Sequence, residues 1–212
     1  MDDDEKDRHS AFMSALTTEH FVLQTAANAT VSEAAARASL YVFSLSSSLV
    51  AMGFASQSAG VFLPFAAAIL PAMFVLGIFT VVRLVDSGIE NQQCLAGIAR
   101  IRGYYRSLTP DAAVYFSAES GRWPESHSAP PLRFGVLAAI STTAASMIAF
   151  INSIVAGAGV ALLASHFLVR DPTVFALSLG AVTALVALVA FLAYQRWRYR
   201  ASAPAESPLG NG

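Results

Sequence analysis

Apolar positions along this chain fall in long unbroken runs rather than in alternation or narrow stripes. Four runs stand out, at 38–55, 62–82, 134–163 and 173–194. A run of about 20 apolar residues crosses a hydrocarbon core of about 30 Å as a helix. Each run is therefore predicted to be a transmembrane helix, the third long enough to tilt or overhang the bilayer. None of the four contains Asp, Glu, Lys, Arg or His.

Between the runs the pattern changes. Residues 17–37 are rich in Ala and free of Pro and Gly, so a helix is predicted that leads straight into the first span. After the second span, Ser87, Asn91, Cys94, Ile98, Ile101, Tyr105 and Leu108 recur at intervals of four and three, the spacing of a helix that packs on a partner. The first two spans are joined by a turn of only a few residues, so their extensions leave the membrane side by side. Equal lengths of helix at 1.5 Å per residue bring Glu19 and His20 level with Arg102 to Tyr105. The expected fold is all-α and membrane-integral: four transmembrane helices in two hairpins, with a short antiparallel cytoplasmic stalk extending helices 1 and 2.

The resulting division is a disordered acidic tail at 1–16, a cytoplasmic helix at 17–37 and a first hairpin at 38–83. A second cytoplasmic helix follows at 84–108, then a cytoplasmic loop at 109–133 that contains Pro110, Pro124, Pro130 and Pro131. A second hairpin occupies 134–195, and the tail at 196–212 is basic and then disordered. In the loop, Val114-Tyr115-Phe116 and Trp123 are apolar islands placed to dock at the membrane interface. Asp171-Pro172 reads as an N-cap followed by proline in the first turn of the fourth span.

Composition agrees with this pattern: 55% of residues are hydrophobic and 13% charged, against about 25% charged in soluble domains. The net charge of −1 gives no field for nucleic acid. The acidic N-terminus, with the first apolar run so far in, is unlike a cleaved signal. The distribution of cations sets the orientation. Of 13 Lys and Arg residues, all but Arg170 lie in the N-terminal segment, the central connection or the C-terminal tail. Basic residues accumulate on the cytoplasmic side, so both termini and the central loop are expected there, in a cell (inner or plasma) membrane. Tyr194, Arg196, Trp197, Arg198 and Arg200 form an aromatic and basic anchor at the end of the last span.

Candidate chemistry is sparse. Intramembrane catalysis or ion coupling calls for ionisable groups facing a cavity, and the spans have none, so a small-molecule transporter or an enzyme is the least favoured reading. Ser44, Ser48, Pro71, Asn152 and Gly157 are the helix-interface or pore candidates. Asn152 needs partners for its amide in an apolar phase, Ser44/Ser48 and Gly157/Ala161 have the four-residue spacing of close helix packing, and Pro71 is expected to kink the second span. Arg100, Arg102, Tyr105 and Arg106 are the cytoplasmic interaction candidates, where the tail acids Asp2, Asp3, Asp4, Glu5 and Asp7 have cations to approach. Asp86 and Glu90, four apart, are a solvated face before they are an acid–base pair, and Cys94 lies on the packing stripe without a base nearby. Four scattered histidines make no metal set, the sequon Asn28-Ala29-Thr30 lies on the cytoplasmic side, and no cofactor motif is present.

The function these features imply is a non-enzymatic, self-associating multi-pass membrane protein, channel-like or a membrane effector, with a stalk that receives a signal or partner. The alternative is an accessory or scaffold subunit that recruits a partner protein. The partners implied are the lipid bilayer and either further copies of the chain or another membrane or cytoplasmic protein.

Overall fold

The computed structural model describes residues 3–58, 60–116, 143–167 and 173–202. They form five helices: α1 (Asp3–Ala55), α2 (Phe62–Leu108), α3 (Ala112–Tyr115), α4 (Ala144–Phe167) and α5 (Thr173–Ala201). Among the described residues, α1, α2, α4 and α5 are long and apolar enough to cross a membrane. The chain divides into two compact units, one of Met1–Glu33 with Ser87–Val136 and the other of Ala34–Asp86 with Leu137–Gly212.

The first correction concerns the N-terminus. The acidic tail expected to be disordered over 1–16 is helical from Asp3 onward. Asp3, Asp4 and Glu5 occupy the first turn, where negative charge complements the helix dipole. Lys6 pairs with Asp3 at 3.4 Å and Arg8 with Asp4 at 3.5 Å, one turn apart on the same helix. The helix expected at 17–37 runs into 38–55 without interruption, and 62–82 and 84–108 likewise form one helix. α1 and α2 are joined by a short turn in which Gly60 takes φ 84°, a left-handed conformation that glycine adopts without a Cβ clash. Pro71 lies inside α2, which continues through it.

Residues 109–116, expected as loop, include the single turn α3. α5 carries the basic tail as helix as far as Ala201. Residues 134–142, Trp123, Asp171-Pro172 and 203–212, on which other expectations rest, lie outside the described residues.

In the first unit the N-terminal part of α1 packs on the C-terminal part of α2. Phe12 meets Tyr104 edge to face at 5.5 Å, Leu23 crowds Gly97, and Thr30 reaches Asn91. As residue numbers rise along α1 they fall along α2, so the two segments are antiparallel. Ser87, Ile89, Ile98, Ala99 and Ile101 are buried, whereas Leu108 at the far end of the stripe is exposed.

The second unit contains the apolar lengths of α1, α2, α4 and α5. Its core joins Ala66, Leu70 and Met73 of α2 to Val155 of α4, flanked by Leu45 and Met52 of α1. Burial is uneven. In the most apolar window of each helix, 33% of α2 and 39% of α4 are buried, but only 11% of α1 and of α5. Phe43, Phe54, Phe79, Leu185 and Val186 all point outward, each more than 60% exposed. Aqueous solvent does not tolerate apolar surface on that scale; a lipid environment does.

Candidate functional site

Two places in the chain concentrate polar or charged side chains, one in each unit. The first is a polar layer inside the apolar unit, centred on Asn152. This side chain is fully buried. The Tyr41 hydroxyl donates to Asn152 Oδ1 at 3.1 Å, and Asn152 Nδ2 donates to the Phe74 backbone carbonyl at 3.1 Å. One amide thus ties α1, α2 and α4. Both its ends are satisfied, as an apolar environment requires. Gly77 makes room for it: a Cβ there would overlap the Asn152 amide group.

A second knot lies nearby in sequence but on other partners. Thr143 immediately precedes α4, and its Oγ1 accepts the Ser146 backbone N–H at 3.2 Å in the manner of an N-cap. Gln195 of α5 is 1% exposed. Its Oε1 accepts from Ser146 Oγ at 2.9 Å, and its Nε2 donates to Thr143 Oγ1 at 2.9 Å. α4 and α5 also touch directly at Gly157 and Gly180, where backbone approaches backbone.

Most other span hydroxyls bond within their own helices. Ser48 donates to the Ser44 carbonyl at 2.8 Å, Ser153 to Ala149 at 2.7 Å, and Thr183 to Leu179 at 2.9 Å. Ser44 is half-buried, whereas Ser46 and Ser47 are exposed. Pro71 lies beside Val75, Leu76 and Phe79 in a shallow apolar groove.

At the end of α5, the anchor residues divide. Arg196, Trp197 and Arg200 are exposed, Tyr194 is half-buried and its ring lies 6.2 Å from that of Trp197. Arg198 instead donates to Asp86 of α2. The hydrogen bond and charge of Asp86 raise the Arg198 pKa further, and burial raises the Tyr199 phenol. Asp86 thus has an arginine for a partner rather than Glu90. About a third of each side chain stays exposed (28% for Asp86, 35% for Arg198), so solvent and salt screen the pair. Asp86→Asn is expected to lower thermal stability slightly at low salt. The difference from wild type should vanish at high salt, and a loss that persists there would show a larger structural role.

The second place is in the unit built from 3–33 and 87–116. A cavity of about 550 Å³ is bounded by Met13, Phe21, Arg102, Tyr105, Leu108 and Phe116, with His20 at its wall. The Arg102 guanidinium lies over the Phe116 ring at 5.9 Å, and the Phe116 and Tyr105 rings are 5.4 Å apart. Of the four interaction candidates, Arg102 and Tyr105 line the cavity, Arg106 is half-buried and Arg100 is exposed. Among the described residues no three His, Cys, Asp or Glu side chains converge as metal ligands would.

The sequence reading missed Tyr41, Gly77 and Gln195. Gly77 carried a usable signal, since a lone glycine in mid-span marks close approach of another element. No family model, curated protein or solved structure matches the chain. Its function therefore rests on its own geometry.

Proposed function

We propose that the chain is a non-enzymatic multi-pass membrane protein that self-associates in the bilayer and carries an interaction-bearing helical stalk in the cytoplasm. In this reading α1, α2, α4 and α5 are the spans, and both termini face the cytoplasm with the basic residues. The observation that carries self-association is the uneven burial of the spans. The buried amides Asn152 and Gln195 bond within the chain, while only 11% of the apolar window of α1 and of α5 is buried. Small and hydroxyl residues on the outward side of α1, among them Ser46, Ser47 and Gly53, allow a second copy to approach closely. Channel-like activity would have to arise between copies, because the central amide is consumed inside each one.

A specific observation also favours the scaffold reading. Phe12, Phe21, Val22 and Val31 lie in the unit assigned to the cytoplasm and are each 48–62% exposed. Apolar side chains in water on one helix suit a protein partner.

Two measurements test these assignments. In a Cys94→Ser background, a membrane-impermeant thiol reagent is expected to label Gln57→Cys from outside intact cells and Ser107→Cys only after permeabilisation; the reverse pattern overturns the orientation. Purified protein in liposomes is expected to run as a defined homo-oligomer. Ion or dye flux from that oligomer supports the channel-like form. Tight liposomes carrying a monomer favour the scaffold instead.

A further inference from the structure

We propose that the outward face of α5, at its C-terminal end, binds an anionic phospholipid, with Arg196 and Arg200 as the head-group site. The proposal rests on the reading that α5 is a span whose basic end lies in the cytoplasm. One exposed face of this helix has the form of a phospholipid. Val182, Leu185 and Val189 succeed one another at intervals of three and four and are each 57–61% exposed. The same intervals lead through Ala193 to Arg196, Trp197 and Arg200, all exposed, so the apolar and basic residues share one side of the helix. Leu185 precedes Arg196 by roughly 16 Å along the axis, about the depth of one leaflet of a ~30 Å core. Acyl chain, interface and phosphate thus meet branched aliphatic, aromatic and cationic side chains in that order.

Charge complementarity selects the head group. Arg198 is paired with Asp86, whereas among the described residues no carboxylate pairs with Arg196 or Arg200. Two guanidinium forks one turn apart therefore stand uncompensated at the level of the lipid phosphates, which they fit with parallel hydrogen bonds. Trp197 sets that level, because an exposed indole settles among the head groups, and the Tyr194 ring supports it at 6.2 Å. Anionic lipids of the cytoplasmic leaflet attract basic residues placed there. A zwitterionic head group presents its own cation beside the phosphate, which the two arginines repel. A second copy is the poorer match for this face. Spans approach one another over small residues, which the outward side of α1 offers at Ser46, Ser47 and Gly53, but the α5 face is lined with Val and Leu. The two outward helices thus divide the work, α1 toward another copy and α5 toward lipid.

The chain's two tryptophans are Trp123 and Trp197, so Trp123→Phe leaves Trp197 as a reporter inside the site. The full-length protein is reconstituted in equimolar phosphatidylcholine and phosphatidylglycerol, with one lipid or the other brominated in its acyl chains. Quenching of Trp197 fluorescence then gives the relative affinity of the two lipids. A basic residue beside an anionic surface is worth about fivefold, so at least that preference for phosphatidylglycerol is expected at low salt, declining as salt screens it. Arg196→Gln with Arg200→Gln should bring the ratio to within about twofold of unity. Arg196→Lys with Arg200→Lys should retain most of the preference, and Arg100→Gln, an exposed cation outside the spans, should leave it unchanged. Equal quenching by the two lipids in the Trp123→Phe protein overturns the proposal, and so does a preference that survives the double glutamine change. If that variant loses helix content by circular dichroism, the salt series decides, and a preference indifferent to salt overturns the proposal. The same readout separates the proposal from its premise. Quenching without preference rejects the head-group site alone, whereas no quenching by either lipid also rejects α5 as a lipid-facing span.

Discussion

Gly77→Ala is expected to cost the folded protein about 1–3 kcal/mol, the range for forcing an extra methyl into a packed interior. In a helix exposed on all sides the same change would be favourable, because alanine is the better helix former. Here the added Cβ would stand 2.6 Å from Asn152 Nδ2 and overlap the rest of that amide. Asn152 has nowhere to go. It is fully buried, and any rotation that clears the methyl releases the Tyr41 hydroxyl and the Phe74 carbonyl in apolar surroundings. The measurement is a double-mutant cycle with Asn152→Ala, read from unfolding in mixed detergent micelles. Asn152→Ala alone loses two hydrogen bonds, and interhelical bonds of this kind average about 0.6 kcal/mol in membrane proteins. The pair should cost clearly less than the sum of the single changes, since removing the amide also removes the obstacle. Strict additivity, or a Gly77→Ala protein as stable as wild type, would mean that Asn152 is not held where the structure places it.

The parts of this fold that follow from one-dimensional patterns were legible in the sequence, and the parts that depend on which helix faces which were not. The length and apolarity of the four runs announce spanning helices because a hydrocarbon core imposes both. Asn152 could be singled out because an amide in such a run demands partners, but nothing in the run names Tyr41 or the Phe74 carbonyl. Those lie 111 and 78 residues away in sequence. Gln195 was hidden differently. It sits between Tyr194 and Arg196 in what reads as an interfacial anchor, so a polar residue there raises no question until Ser146 and Thr143 are seen to enclose it. Asp86 shows the same limit: sequence spacing offers Glu90 four residues on, whereas the structure provides Arg198 on another helix. The acidic tail misled for a local reason. A run of Asp and Glu looks disordered by composition, yet at a helix N-terminus it complements the dipole and pairs one turn ahead with Lys6 and Arg8.

Gly157→Leu is expected to be the most damaging single change in the molecule, costing more than about 3 kcal/mol or preventing accumulation of the folded protein. The obstacle this time is backbone. A Cβ on Gly157 would fall 2.5 Å from the Gly180 carbonyl oxygen and 2.9 Å from Ala184 Cβ. The contact is reciprocal, because a Cβ on Gly180 would fall 2.6 Å from the Gly157 oxygen and 2.8 Å from Ala161 Cβ. A flexible side chain can turn aside, but a carbonyl fixed in a helix moves only with the helix. α4 and α5 must then separate, which forfeits the dispersion contacts along their seam and the Ser146–Gln195 bond farther along it. The seam supplies its own control two residues away. A Cβ on Gly159 would meet Leu70 at 3.9 Å, an ordinary van der Waals distance. Gly159→Ala should therefore be neutral or stabilising through the entropy it removes from the unfolded chain, whereas Gly157→Ala should destabilise. Helix propensity, hydrophobicity and depth in the membrane barely differ between the two sites, so only the proximity of α5 can produce opposite signs. Equal effects from the two alanine variants, measured by thermal unfolding in the same detergent, would place the α4–α5 contact elsewhere on α4.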